Sequence, residues 1–174
     1  MSGHNKWSQI KEKKGATDAE RSRRFTKLVK LIRVEARLTK GDLNAPSLKG
    51  AIERARRENM PKENIERAIK SATEAGADEK VVYEAYGPGG AALIIEGLSD
   101  NTNRTSAEIK HLLGKHGTAL AAQGSALWAF SKSEEGYAPT TIVPVSPDDG
   151  EKLSVLVDAL ENHDDVQGIY TNAG

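Results

Sequence analysis

The chain has 174 residues, 37% of them hydrophobic and 29% charged, with no Cys and a net charge of zero. That apolar content supports one or two small folded modules, and the missing Cys excludes a disulfide framework, a thiolate metal site and a cysteine nucleophile. The first twenty residues contain no apolar run of signal-peptide type, and no later stretch approaches the roughly 20 apolar residues of a spanning helix; a soluble, cytoplasmic protein without membrane contact is expected.

The neutrality hides a split. Residues 1–75 hold 19 Lys/Arg against 10 Asp/Glu, and residues 76–174 hold the remaining 6 against 15, so one part is +9 and the other −9. Such asymmetry points to a polyanion as partner of the basic part.

In chain order, Ser2 to Ala19 is basic and poor in apolar residues, and reads as an extended arm. Over residues 22–38, about 100° per residue places Phe25, Leu28, Val29, Ile32 and Ala36 on one face. Arg23, Lys27, Lys30, Arg33 and Arg37 gather opposite, which predicts an amphipathic helix with a basic outer stripe. A second helix fits Pro46 to Glu58, with Leu48, Ala51, Ile52 and Ala55 inward and Lys49, Arg56 and Arg57 outward. Pro61, suited to a first helical position, restarts a third helix with Ile65, Ala68, Ile69 and Ala72 inward. The result is a small three-helix bundle ending near residue 75.

After Gly76 the pattern changes to VVYEAY and AALIIEGL around Gly87-Pro88-Gly89-Gly90, two strands joined by a turn. A helix follows SDNTNRT, with Ile109, Leu112 and Leu113 inward and Gly117 as its stop. ALWAF is expected as a third strand, SKSEEGYAP as a polar linker and TTIVPV as a fourth strand held to an edge by Pro144. Ser146-Pro147-Asp148-Asp149 opens a helix with Leu153, Leu156, Val157 and Leu160 inward, and VQGIYTN closes the chain as a fifth strand. The fold class is α+β: an N-terminal three-helix bundle with a basic arm (1–75), then an α+β sandwich of a mainly antiparallel sheet with two helices (76–174).

The candidate nucleic-acid contacts are Lys6, Trp7, Lys11, Lys13, Lys14, Arg21, Arg23, Arg24, Lys27, Lys30, Arg33 and Arg37. Nine cations fall between residues 6 and 30 against Glu12, Asp18 and Glu20, and a flexible arm plus a cationic helix face is what phosphate contact requires. Trp7 either stacks on a base or anchors the arm. Asn101, Asn103 and Arg104, at a loop-to-helix junction, offer donors for a secondary polar contact, although helix capping is the simpler use of that segment. YGPGG joins two strands and is followed by no Lys-Ser/Thr, so a hairpin turn is preferred to a phosphate loop. The His111 to His116 interval is not a helical zinc pair, and no nucleophile–base–acid set is visible. A non-enzyme without metal or cofactor is expected.

GHNKW (3–7), the KK, DAER and FTK elements of 13–27, NMPKENIERAIK (59–70), YGPGG (86–90), DNTNRT (100–105), KHG (115–117), GSALWAF (124–130) and DDVQGIYTN (164–172) resemble the successive signature blocks of the YebC family. That family also includes the mitochondrial translational activator of cytochrome c oxidase. The resemblance implies an amino-terminal helical domain followed by two α+β domains, the third inserted in the second. Only about ten residues connect ALWAF to TTIVPV here, so the inserted domain is expected to be missing near 131–139. Smaller departures are Asn5, Thr118 and Ala126, where the family usually has Ser, Gly and Val. The resemblance further implies a regulator associated with nucleic acid, with the ribosome, through ribosomal RNA or tRNA, as partner of a translation factor that relieves stalls, or DNA as partner of a transcriptional regulator.

Overall fold

The computed structural model describes residues 17–72 and 78–174. It divides into two compact units, one containing the described part of Gly15–Lys80 with Leu98–Asn101, the other containing Val81–Gly97 and Thr102–Gly174.

The first unit is built from α1 (Asp18–Leu38), α2 (Pro46–Arg57) and α3 (Lys62–Ser71). α1 starts four residues before the amphipathic stretch because Thr17 and Glu20 form a capping box: Glu20 N donates to Thr17 Oγ1 at 3.3 Å and Thr17 N to Glu20 Oε2 at 2.9 Å. The Asp18–Ala19 end of the expected arm is therefore helix. Pro61 caps α3 from an extended conformation, one position earlier than expected. The apolar stripes meet as the periodicity requires, with Leu28, Ile32 and Ala36 of α1 against Leu48, Ala51, Ile52 and Ala55 of α2 and Ile65 and Ala68 of α3. Met60 closes the same core.

The second unit is an α+β sandwich. β1 (Glu79–Tyr86), β2 (Ala92–Ser99) and β5 (Val166–Thr171) form a sheet in the order β1-β2-β5. β2 and β5 are antiparallel, pairing Leu93 with Thr171 and Ile95 with Ile169, with an irregularity at Glu96/Gly97. Gly89 and Gly90 take φ +72° and +77° in the turn between β1 and β2, which glycine permits without steric cost. Side chains alternate across β2. Leu93 and Ile95 face α4 (Thr102–Lys115) and α5 (Pro147–Glu161), where they meet Ile109, Leu113, Leu153, Leu156 and Leu160. Ser146 caps α5, its Oγ accepting from Asp149 N, with Asp148 and Asp149 in the first turn.

The opposite face differs from expectation. Ala92 and Ile94 pack under Phe130 and Tyr137, which belong to a hairpin of β3 (Phe130–Ser133) and β4 (Gly136–Pro139). The polar segment SKSEEGYAP is thus this hairpin rather than a linker, and Leu127–Ala129 of ALWAF is a 3-10 turn leading into it. TTIVPV contributes one isolated bridge, Val143 to Ala173, and no strand. No helix among the described residues is long and apolar enough to cross a membrane.

Candidate nucleic-acid interface

Lys6, Trp7, Lys11, Lys13 and Lys14 lie outside the described residues. The remaining cations of the first unit sit on α1, and their surroundings differ along its length. Arg21 and Arg24 are exposed, and Arg24 Nη1 lies 3.4 Å from Glu58 Oε2 just past the end of α2. Arg23, Lys27, Lys30, Arg33 and Arg37 are only half-exposed. Placed on the face away from Leu28 and Ile32, they form the stripe that the spacing predicts, but its C-terminal half converges on one residue.

That residue is Asp78, 3% exposed. Arg33 Nη2 approaches its Oδ2 at 3.3 Å, and Arg37 Nη2 donates to its backbone carbonyl at 2.9 Å. Neither carboxylate oxygen has a hydrogen-bond partner among the described residues. Burial pushes the Asp78 carboxyl above its ordinary range, with Asp100 adding to the rise, and the nearby Arg33, Lys30 and Arg37 offset this only in part. Arg33 and Arg37 accordingly serve the packing of Asp78 in the described structure. The separation of 41 residues between Arg37 and Asp78 gave sequence reasoning no local signal.

The donors around Asn103 fall into a second arrangement. Asn101 and Asn103 are exposed, and Asn101 N donates to Ser99 Oγ at 3.0 Å. Arg104 Nη2 donates to Asp165 Oδ2 at 2.9 Å, and its Nε lies 3.8 Å from Glu108 Oε2. Asp165 is 2% exposed and accepts from Thr105 Oγ1 at 2.6 Å as well. Its own N–H donates to His163 Nδ1 at 3.1 Å, which leaves the imidazole hydrogen on Nε2, 2.9 Å from Glu108 Oε2. Arg104 is thus held by two carboxylates.

Sequence spacing could not bring His163, Glu108 and Asp165 together, yet their ligand atoms lie within 4.8 Å of one another. The charge at that cluster is supplied by Arg104, and a His163 that keeps its hydrogen on Nε2 presents a donor, not a lone pair, toward Glu108. The described arrangement is an ion-pair network joining the start of α4 to the turn before β5.

A third polar device lies on β1. Glu84, buried, accepts from the backbone N–H groups of Gly124, Ala126 and Leu127. Burial pushes its carboxyl up, and the three donors together outweigh that, leaving it below its ordinary range. Tyr86 donates to Ser125 O and accepts from Trp128 Nε1 at 3.2 Å, so one strand fixes the 124–128 turn by both side chains.

The molecule is thus of the class that joins a basic three-helix unit to an acidic α+β unit. The TACO1/YebC protein N-terminal domain matches residues 5–75, and the TACO1/YebC second and third domain matches residues 78–135 and 129–173. The chain belongs to the TACO1/YebC family. Among its relatives, a protein of Thermotoga maritima is 39% identical over 236 aligned positions, covering 99% of this chain and 93% of that one. One of Desulforapulum autotrophicum is 42% identical over 192, covering 100% and 77%. Both carry the name probable transcriptional regulatory protein. The crystal structure of a conserved hypothetical protein from Aquifex aeolicus superposes with a TM-score of 0.86 at 31% identity, covering 97% of this chain and 96% of its own.

Proposed function

We propose that this protein is a nucleic-acid-associated regulator of gene expression, acting in the cytoplasm as a translation factor that binds the ribosome through structured RNA and relieves stalls. The observation that carries this reading is the charge split combined with the chemistry of α1. The basic helical unit supplies phosphate contacts, and between Arg21 and Lys40 there is no Asn or Gln to read an adenine edge. A surface of Lys and Arg without amides keeps only guanine edges within its base-reading reach and suits phosphate and shape, which folded RNA presents. The acidic remainder, at −9, is repelled by DNA and RNA alike, so the attraction to a polyanion comes from the basic unit. Arg21, Arg23, Arg24, Lys27 and Lys30, with the arm residues Lys6, Trp7, Lys11, Lys13 and Lys14, are the proposed contacts. Asn101 and Asn103 would add polar contacts, with Arg104 oriented by Asp165. The names of the relatives are those of regulators, not of enzymes.

DNA-binding transcriptional regulation is the second reading, favoured by the names the relatives carry. The domain inserted in the family is proposed to be absent. The alignment with the Thermotoga relative spans 236 positions against 174 residues here, and the two family matches meet at 129–135, at the β3–β4 hairpin.

Equilibrium binding to a structured RNA and to a duplex DNA of equal length, each at low and raised salt, tests the interface. Replacing Lys13, Lys14 and Lys27 together by Glu is expected to weaken RNA binding about tenfold or more and to flatten its salt dependence, since each lost phosphate contact removes counterion release. The thermal transition should stay in place. Unchanged binding would remove the interface, and tighter, sequence-selective DNA binding would favour the second reading.

A further inference from the structure

The interface proposed above rests on α1, yet α1 has committed part of its charge, Arg33 to the buried Asp78 and Arg24 to Glu58 on the surface. Arg21 and Arg24 remain exposed there, and a larger group of exposed cations stands on α2. On α2, Lys49, Arg54, Arg56 and Arg57 are all exposed, and none has a carboxylate partner among the described residues. Glu53 is the acidic residue within the helix.

Their arrangement follows from the helical repeat. With Leu48, Ala51, Ile52 and Ala55 turned to the core, Gly50, Arg54 and Arg57 stand at i, i+4 and i+7, one line on the outer side about 10 Å long. Lys49 and Arg56 run beside it. Gly50 is the unusual member of the line. It lies inside a helix, where Gly is less stable than Ala, and nothing lies within 4 Å of the position a Cβ would take. No neighbour in the unit requires its small size. A glycine here leaves the helix backbone open to close approach by a partner. Last-turn cations also suit the helix dipole, but that explains neither Lys49 nor Gly50.

We propose that the Gly50–Arg54–Arg57 line of α2, flanked by Lys49 and Arg56, seats the phosphate backbone of structured RNA. Gly50 admits the backbone to the helix surface, and the planar guanidinium groups of Arg54 and Arg57 grip phosphate oxygens in pairs. This site rests on the reading of the protein as an RNA binder and adds a grip on α2 to the contacts of α1.

The test compares three variants in binding to a ribosomal RNA fragment over a salt series, with duplex DNA as a parallel arm. Arg54→Ala/Arg57→Ala is expected to weaken RNA binding about tenfold and to reduce the salt slope by roughly 2. Lys62→Ala/Arg67→Ala, an equal change of charge on the exposed surface of α3, is expected to change binding less than about threefold, the part due to net charge alone. Gly50→Leu is expected to raise the thermal midpoint of the helical unit while weakening binding severalfold, a pairing that a structural role would not produce. Equal losses for the two double variants, tight binding by Arg54→Ala/Arg57→Ala, or a loss confined to duplex DNA would each overturn the α2 site. An unsubstituted protein with no salt-sensitive RNA binding would overturn the RNA reading itself and the site with it.

Discussion

Replacing Glu84 by Ala is expected to destabilise the α+β unit by about 3 kcal/mol or more. Its carboxylate accepts three backbone N–H groups from the 124–127 turn, at distances up to 2.9 Å. Hydrogen bonds to a charged group contribute about 1.5 to 3 kcal/mol each, and a buried donor left without a partner costs about 1 to 3 kcal/mol. These terms describe the same loss twice, so three stranded donors at about 1 kcal/mol each set the floor of about 3 kcal/mol. The turn also carries Trp128, 65% exposed, whose indole N–H is held by Tyr86. Thermal unfolding followed by tryptophan fluorescence and circular dichroism reads both consequences. The effect should depend on pH. The folded carboxyl lies below its unfolded value, so the stability it contributes is full above the unfolded range, near pH 4.3, and is lost as pH falls through the folded value. The gap between Glu84→Ala and the unsubstituted protein should therefore narrow in acid. A gap that widens there would contradict the assignment.

The second large effect is expected from Ile32→Ala, at about 2 to 5 kcal/mol. Ile32 is fully buried in the middle of α1, in a core shared by α1, α2 and α3. Deleting its outer carbons loses transfer free energy and leaves a cavity that three short helices fill only in part. Far-UV circular dichroism during denaturant unfolding would detect the loss as an earlier midpoint. A change below about 1 kcal/mol would mean that the bundle core repacks freely, contrary to the close packing described.

The helical half was largely legible because each helix carries its own record. Leu28, Ile32 and Ala36 recur at helical spacing, and so do Leu48, Ala51, Ile52 and Ala55, so the core could be named before any coordinates. The start of α1 was misplaced because a capping box depends on Thr17 and Glu20, two polar residues in a basic tract. In the second half, β2 and both helices were legible, and the hairpin was not. β3 and β4 are four residues each, with Phe130 and Tyr137 as their buried anchors, and the turn between them is Glu134-Glu135, which reads as linker. Gly136 holds φ +118° against the Tyr170 ring, a reason for glycine that only the fold supplies. ALWAF reads as strand by composition, but the hydrogen bonds of Glu84 curl its approach into a turn. TTIVPV is rich in β-branched residues, yet its pairing with the last residues of the chain is confined to Val143 and Val145 against Asn172 and Gly174.

For the candidate site, the stripe on α1 was legible as a pattern of charge. Its division was not, because Asp78 reaches Arg33 and Arg37 from across the unit. The same applies to Arg104, whose partner Asp165 is 61 residues away. Spacing within a helix says where cations point and nothing about which of them already have a partner.

The central claim is that the basic unit carries this protein to the ribosome. Sedimentation of a tagged form from lysate through a sucrose gradient, at moderate and at raised salt, tests it most directly. Co-migration with ribosomal subunits at moderate salt and release at raised salt is the predicted result. A protein found at the top of the gradient at both salts, with specific duplex DNA recovered on it, would contradict the claim and assign the basic surface to transcription.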